Sequence, residues 1–192
     1  MATQSIPRRL PVIMAFFCLS LYSFAESKPN PKKVTCTDGD CQDIHFQVKF
    51  TLPFKWKVEM QRRWKDAGEE ATTLTLQDPG ALSPVGLYYR LLTNTADEDI
   101  RIEVGKKLEQ RIRQGLPNYR LPENNCQERV VGGHQALSCM AAFGGGAEVM
   151  LEYFTWIRSK QCLAQFWVQS RPETMGSRQK RLEDVIQSLQ IP

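Results

Sequence analysis

Histidine is scarce: His45 and His134 are the only two in the chain. That excludes a histidine-rich metal centre, and it leaves few ways to build a Cys–His nucleophile pair. His134 and Cys139 stand five apart on one expected strand, so they point to opposite faces. Other signatures are absent too. No Gly-x-Ser-x-Gly elbow marks a serine nucleophile. Gly144-Gly145-Gly146 lacks the Lys-Ser/Thr of a phosphate loop and reads as a turn. Glu148 and Glu152 share a strand face about 13 Å apart, beyond the reach of a glycosidase pair. The formal net charge is only +4, with both signs interspersed. That is too mild for a nucleic-acid or anionic-lipid partner. No metal or cofactor is called for.

The first residues carry three zones. Arg8 and Arg9 precede an apolar run from Leu10 to Tyr22, and Ser23-Phe24-Ala25 places small residues where a signal peptidase reads. A membrane-spanning helix needs about 20 apolar residues, so this run is too short for one, and no later run reaches that length. Phe16-Phe17 before Cys18 is too bulky for a lipoprotein signal. Residues 1–25 are therefore expected to be a cleaved signal peptide, 26–43 a polar leader with a disulfide turn, and 44–192 a single α+β domain. The destination is periplasmic or extracellular. No Asn-x-Ser/Thr sequon occurs, which is compatible with bacterial export. Oligomeric state stays open.

Five of the six cysteines follow residue 25: Cys36, Cys41, Cys126, Cys139 and Cys162. In an oxidising compartment disulfides are the default. Gly132-Gly133 between Arg129-Val130-Val131 and His134-Gln135-Ala136 predicts a two-residue hairpin. Counting outward from that turn sets Cys126 against Cys139 at a non-hydrogen-bonded pair, where Cα atoms are about 4.5 Å apart and a bridge fits. Cys36-Thr-Asp-Gly-Asp-Cys41 reads as a small disulfide-closed turn. Asp38, Asp40 and Asp43 also suggest calcium, but the bidentate glutamate of a calcium loop is missing. Cys162 is left as the free thiol. It shares an apolar face with Ala164, Phe166 and Val168, the setting of an inert buried thiol.

Strands are expected at Ile44–Leu52, Trp56–Glu59, Ala71–Leu76 and Val85–Leu92, then at the glycine hairpin, at Ala147–Ile157 and at Cys162–Gln169. Thr95-Ala96-Asp97-Glu98 fits a capping box, and Ile100, Val104, Leu108 and Ile112 form a helical stripe behind it. A last helix starts near Pro172, with Met175, Leu182, Val185, Ile186 and Leu189 on its apolar side. The order is four strands, a helix, four strands, a helix. Short connections favour an antiparallel sheet with both amphipathic helices packed on it.

Three short stretches carry a resemblance. Phe50-Thr51-Leu52-Pro53-Phe54-Lys55-Trp56 looks like the strand–Pro–Trp entry of the PsbP-like α/β/α sandwich superfamily. Val131-Gly132-Gly133-His134-Gln135-Ala136 is similar to its central glycine hairpin, and Ile186-Gln187-Ser188-Leu189 to its closing helix. The cysteines depart from that pattern. The resemblance implies an exported, non-enzymatic accessory domain that binds a protein or small ligand in the envelope, and it transfers no catalytic residue. Trp156, Trp167, Gly132 and Gly133 are the candidate partner-binding residues. Two other readings stay open. Glu128-Arg129-Val130-Val131-Gly132 resembles a cystatin hairpin, which would make the chain a secreted protease inhibitor, although cystatins begin with their helix. A thiol enzyme using Cys162 is the third.

Overall fold

Runs of β-branched and aromatic residues that alternate sides become, among the described residues, ten strands beside two helices. A computed structural model describes residues 33–66, 68–81, 83–92, 99–116, 118–122, 125–145 and 148–192. The signal peptide, most of the leader and the capping box at 95–98 lie outside the described residues. The strands are β1 (Thr35–Thr37), β2 (Asp40–Asp43), β3 (Val48–Thr51), β4 (Lys57–Asp66), β5 (Glu69–Gln77), β6 (Val85–Leu91), β7 (Cys126–Val131), β8 (His134–Phe143), β9 (Met150–Arg158) and β10 (Cys162–Ser170). Helix α1 is Ile100–Arg113 and α2 is Pro172–Ser188.

Strands β4–β10 form one antiparallel sheet in the order β4-β5-β6-β10-β9-β8-β7. The period of two divides its side chains cleanly. Tyr153, Ile157, Ala164, Phe166 and Val168 face α2, which buries Met175, Leu182, Val185 and Ile186 against them. Each fully buried aliphatic there contributes about 1.5–3 kcal/mol. Leu137, Phe154, Trp156 and Leu163 face the other way, toward α1. Strands β1-β2-β3 make a second, small sheet on the α2 side. The backbone of Lys49 on β3 pairs with Gln190 just past α2. The architecture is α+β, an antiparallel sheet with a helix on each face.

Several expectations need correction. The strand expected at Ile44–Leu52 is broken, because the Asp43 carboxylate accepts the backbone N–H of His45 (3.1 Å) and of Phe46 (3.4 Å) and bends the chain. Gln47 then takes a positive φ of 56° before β3 begins. The division at residue 43 falls inside the β2–β3 hairpin, so the leader's cysteine turn belongs to the fold, and Cys41 is part of the core. Among the described residues six strands, not four, precede α1. The strand begun near Trp56 runs on to Asp66. On α1 the buried face is Ile100, Glu103, Val104 and Lys107, and Ile112 is 59% exposed. Two charged residues replace apolar ones on that face because buried partners await them on the sheet.

Candidate partner-binding edge

Among the described residues strand β4 lies at one end of the sheet order, next to β5. Its sequence, Lys57-Val58-Glu59-Met60-Gln61-Arg62-Arg63-Trp64-Lys65-Asp66, is polar on both faces, the composition that edge strands tolerate. Met60, Arg62 and Trp64 fall on the α1 side of the sheet, opposite Thr75, Thr73 and Ala71 of β5. α1 packs over β8 and β9, at the far side of the sheet. Trp64 stays 54% exposed and Met60 43% exposed. On the other face Gln61 accepts the backbone N–H of Val34 at 3.0 Å, and Arg63 reaches Asp43.

Two clefts are lined by this strand. One, of about 330 Å³, lies between the β1–β2 hairpin and residues 57–61, with Lys33, Val34 and Trp56 in its wall. The other, of about 240 Å³, is lined by Phe46, Arg63, Trp64, Lys65, Glu70 and Ala71. Arg63 sits over the Phe46 ring at 5.1 Å. Its Nη2 donates to both oxygens of Asp43, while its Nε and Nη1 have no hydrogen-bond acceptor. A larger cleft of about 570 Å³ opens beside the start of α2, where the charged lining is Arg171 with Glu148 and Glu173.

Buried ion clusters fix the frame around the edge. Under the small sheet, Asp43 takes Arg63 and the Tyr89 hydroxyl, at 2.7 Å. Burial, then the Asp43 charge, holds the Tyr89 hydroxyl above its ordinary pKa. Under α1, Glu152 accepts from Arg111 (2.6 Å), Tyr119 (2.7 Å) and Gln169 (3.3 Å), with Lys107 Nζ at 3.3 Å. Burial alone pushes the Glu152 carboxyl up, but the two cations and the donated hydrogen bonds outweigh it and hold the pKa low. Burial draws Lys107 down to about 8 against the pull of Glu152. Its ammonium lies 4.4 Å from the Phe154 ring centre and 5.7 Å from that of Trp167.

The residues named from the sequence are scattered. Trp156 is buried at 6% exposure beneath α1, which corrects its selection as a contact residue. Trp167 is half-buried and lies flat on Gly86, where an added Cβ would sit 2.0 Å from the indole. Gly132 and Gly133 take φ of 56° and 84°, the turn that only residues tolerant of positive φ make readily. A Cβ on Gly132 would approach the Leu189 carbonyl at 3.2 Å, one on Gly133 would meet nothing within 4 Å, and both glycines are exposed. Cys36 is bonded to Cys41 and Cys126 to Cys139. Cys162 is fully buried, and burial pushes its thiol up to about 12, which removes the setting thiol chemistry needs. Asp43 is committed to Arg63 and Tyr89, so its carboxylate is not available to a calcium ion, while the exposed Asp40 accepts the Thr51 hydroxyl at 2.8 Å. Met60 and Trp64 were the residues the sequence pattern did not single out. The signal was there in the alternation of Met60, Arg62 and Trp64 within a strand polar on both sides.

No family model matches the chain, and no curated protein matches its sequence. Solved structures match its fold. A protein of unknown function from Pseudomonas aeruginosa, a putative regulator, aligns with TM-score 0.46 and 13% identity over 83% of this chain and 96% of that one. LpqN of Mycobacterium tuberculosis, involved in cell envelope biogenesis, aligns with TM-score 0.42 and 10% identity over 76% and 84%. Cyanobacterial PsbP from Synechocystis aligns with TM-score 0.55 and 15% identity over 79% of this chain and 90% of that one. At that identity the likeness concerns the fold alone: an α+β sandwich similar to that of PsbP.

Proposed function

We propose that the chain is an exported, non-enzymatic accessory domain that binds a protein partner in the envelope or outside the cell. The apolar segment Leu10–Tyr22 behind Arg8 and Arg9 supports export, and so do two disulfides in one small domain. The observation that carries binding is the β4 edge. A strand at the end of the sheet order bears exposed Met60 and Trp64 and has a cleft at each end, while other strand aromatics such as Trp156, Phe154 and Phe166 are spent on the core. Exposed aromatic and methionine side chains of this kind are enriched in interface cores.

The test is quantitative capture from native envelope and culture-supernatant fractions. The mature chain is compared with a Met60→Ser, Trp64→Ser variant of equal stability. At least one protein should be recovered roughly tenfold less by the variant, a loss of about 1.4 kcal/mol. Equal recovery of every captured protein would remove β4 as the binding edge.

A further inference from the structure

We infer that helix α1 is a lid, which lifts as a unit from an apolar face of the sheet and closes again while the rest of the fold stays intact. The two helices are held on the sheet by different chemistry. Of its apolar residues α2 buries Met175, Leu182, Val185 and Ile186, none more than 2% exposed. α1 buries only Ile100 and Val104, at 7% and 8%, and leaves Ile102 and Ile112 exposed. Its other buried residues are Glu103 and Lys107. Apolar burial has no substitute once a helix lifts into water, whereas a buried ion regains its hydration.

The ionic contacts are arranged so that lifting strands no charge. Arg90 on β6 reaches Glu103 at 3.4 Å but holds Glu69 of the sheet more closely, at 2.7 Å. Glu103 takes Lys106 along on its own helix, at 2.8 Å. Glu152 on β9 receives Lys107 and Arg111 from α1, at 3.3 and 2.6 Å. Tyr119 at 2.7 Å and Gln169 at 3.3 Å remain on it when they leave. Arg111 keeps Gln114, at 3.0 Å. Both Arg90 and Glu152, the ions that α1 leaves behind, thus have a second partner on the frame.

The hinge follows the helix. Gly115 takes a φ of 68°, and a Cβ there would meet nothing within 4 Å. Beyond it the chain is fixed to the sheet. The Arg120 backbone pairs with that of Ala142 in both directions, at 2.8 and 2.9 Å, and Tyr119 stacks on Phe143. Tyr119 therefore stays with Glu152 while α1 moves. Lifting uncovers Leu137, Phe154, Trp156 and Leu163, the apolar face on β8, β9 and β10 that α1 covers when closed. Lids are drawn from elements of low local stability, and α1 is held by few apolar contacts.

The experiment follows amide hydrogen exchange along the mature chain. Amides from Val104 to Arg113 should share one protection factor, at least about a hundredfold below that of α2. Urea should raise their exchange with a shallower slope than it does for α2. Leu182→Ala should speed exchange in α2 and leave α1 unchanged, because the open state retains α2. A thiol probe reads the same motion. In Val104→Cys, iodoacetamide should label position 104 at least about a hundredfold faster than Cys162, and adding Glu152→Gln should speed that labelling at least about tenfold. Equal protection of α1 and α2, or equal acceleration of both by Leu182→Ala, would overturn the proposal. So would α1 protection that fades only from the ends without urea dependence, or labelling of position 104 no faster than of Cys162. The thiol comparison decides alone if Leu182→Ala does not fold.

Discussion

Arg63 on the edge strand donates Nη2 to both carboxylate oxygens of Asp43, at 2.9 Å each, and so ties the seven-stranded sheet to the small one. Asp43 is fully buried and also accepts from Tyr89 and from two backbone N–H groups of the following turn. Asp43→Ala removes the one acceptor all four share and leaves Arg63 without its counter-charge. The expected loss is about 3–5 kcal/mol in urea unfolding, against about 1 kcal/mol for Tyr89→Phe, which removes one hydrogen bond.

Under α1 the two sides of the Glu152 cluster should respond unequally. Glu152→Gln leaves buried Lys107 and half-buried Arg111 without a counter-charge, and about 3–5 kcal/mol should be lost. Lys107→Met keeps Arg111 and Tyr119 on the carboxylate and relieves a buried ammonium. It should change stability by no more than about 1 kcal/mol. Parallel urea titrations of the two variants check this.

The same lysine gives a pH signature. Between about 8 and its ordinary 10.5, Lys107 is deprotonated in the folded chain and protonated in the unfolded one. The unfolded state then binds more protons, so stability rises with pH in that window. Above about 10 the trend is opposed, because unfolded tyrosine ionises while Tyr89 and Tyr119 hold their protons. Stability should therefore climb from pH 8 to 10 and bend over beyond it, and Lys107→Met should lack the climb. At the acid end, the depressed Glu152 pKa gives stability that is present above the ordinary carboxylate range and lost as pH falls.

The disulfides should rank by loop length. Cys126 and Cys139 are 13 apart in sequence and Cys36 and Cys41 are five apart. Replacing the first pair by alanine should cost about 3 kcal/mol and the second about 2 kcal/mol, on the loop-entropy account. Cys162 should resist alkylation in the native chain and react once the chain is unfolded in urea.

Much of the frame was legible because it rests on local chemistry. Gly132-Gly133 sets a hairpin register that brings Cys126 opposite Cys139, and the stripe of Leu182, Val185 and Ile186 on α2 is the one that packs. What failed was non-local. Asp43 breaks an otherwise strand-like run because Arg63 and Tyr89, far along the chain, bury its carboxylate. Lys107 occupies the buried face of α1 because Glu152 on β9 waits beneath it. The edge was missed for the same reason: a polar strand looks like a loop until its place in the sheet order is known, and Trp156 looks no more buried than Trp64 until α1 is laid over it.

The central claim is that this chain works as an exported binding domain through β4 and not through the opposite edge, β7, where Val130 is also exposed. A photoreactive residue placed at Arg62 or at Val130 of the full chain, irradiated in the native cells, tests it directly. The account predicts a discrete protein adduct from position 62 in the exported fraction and none from position 130. An adduct from position 130 with none from 62 would contradict it.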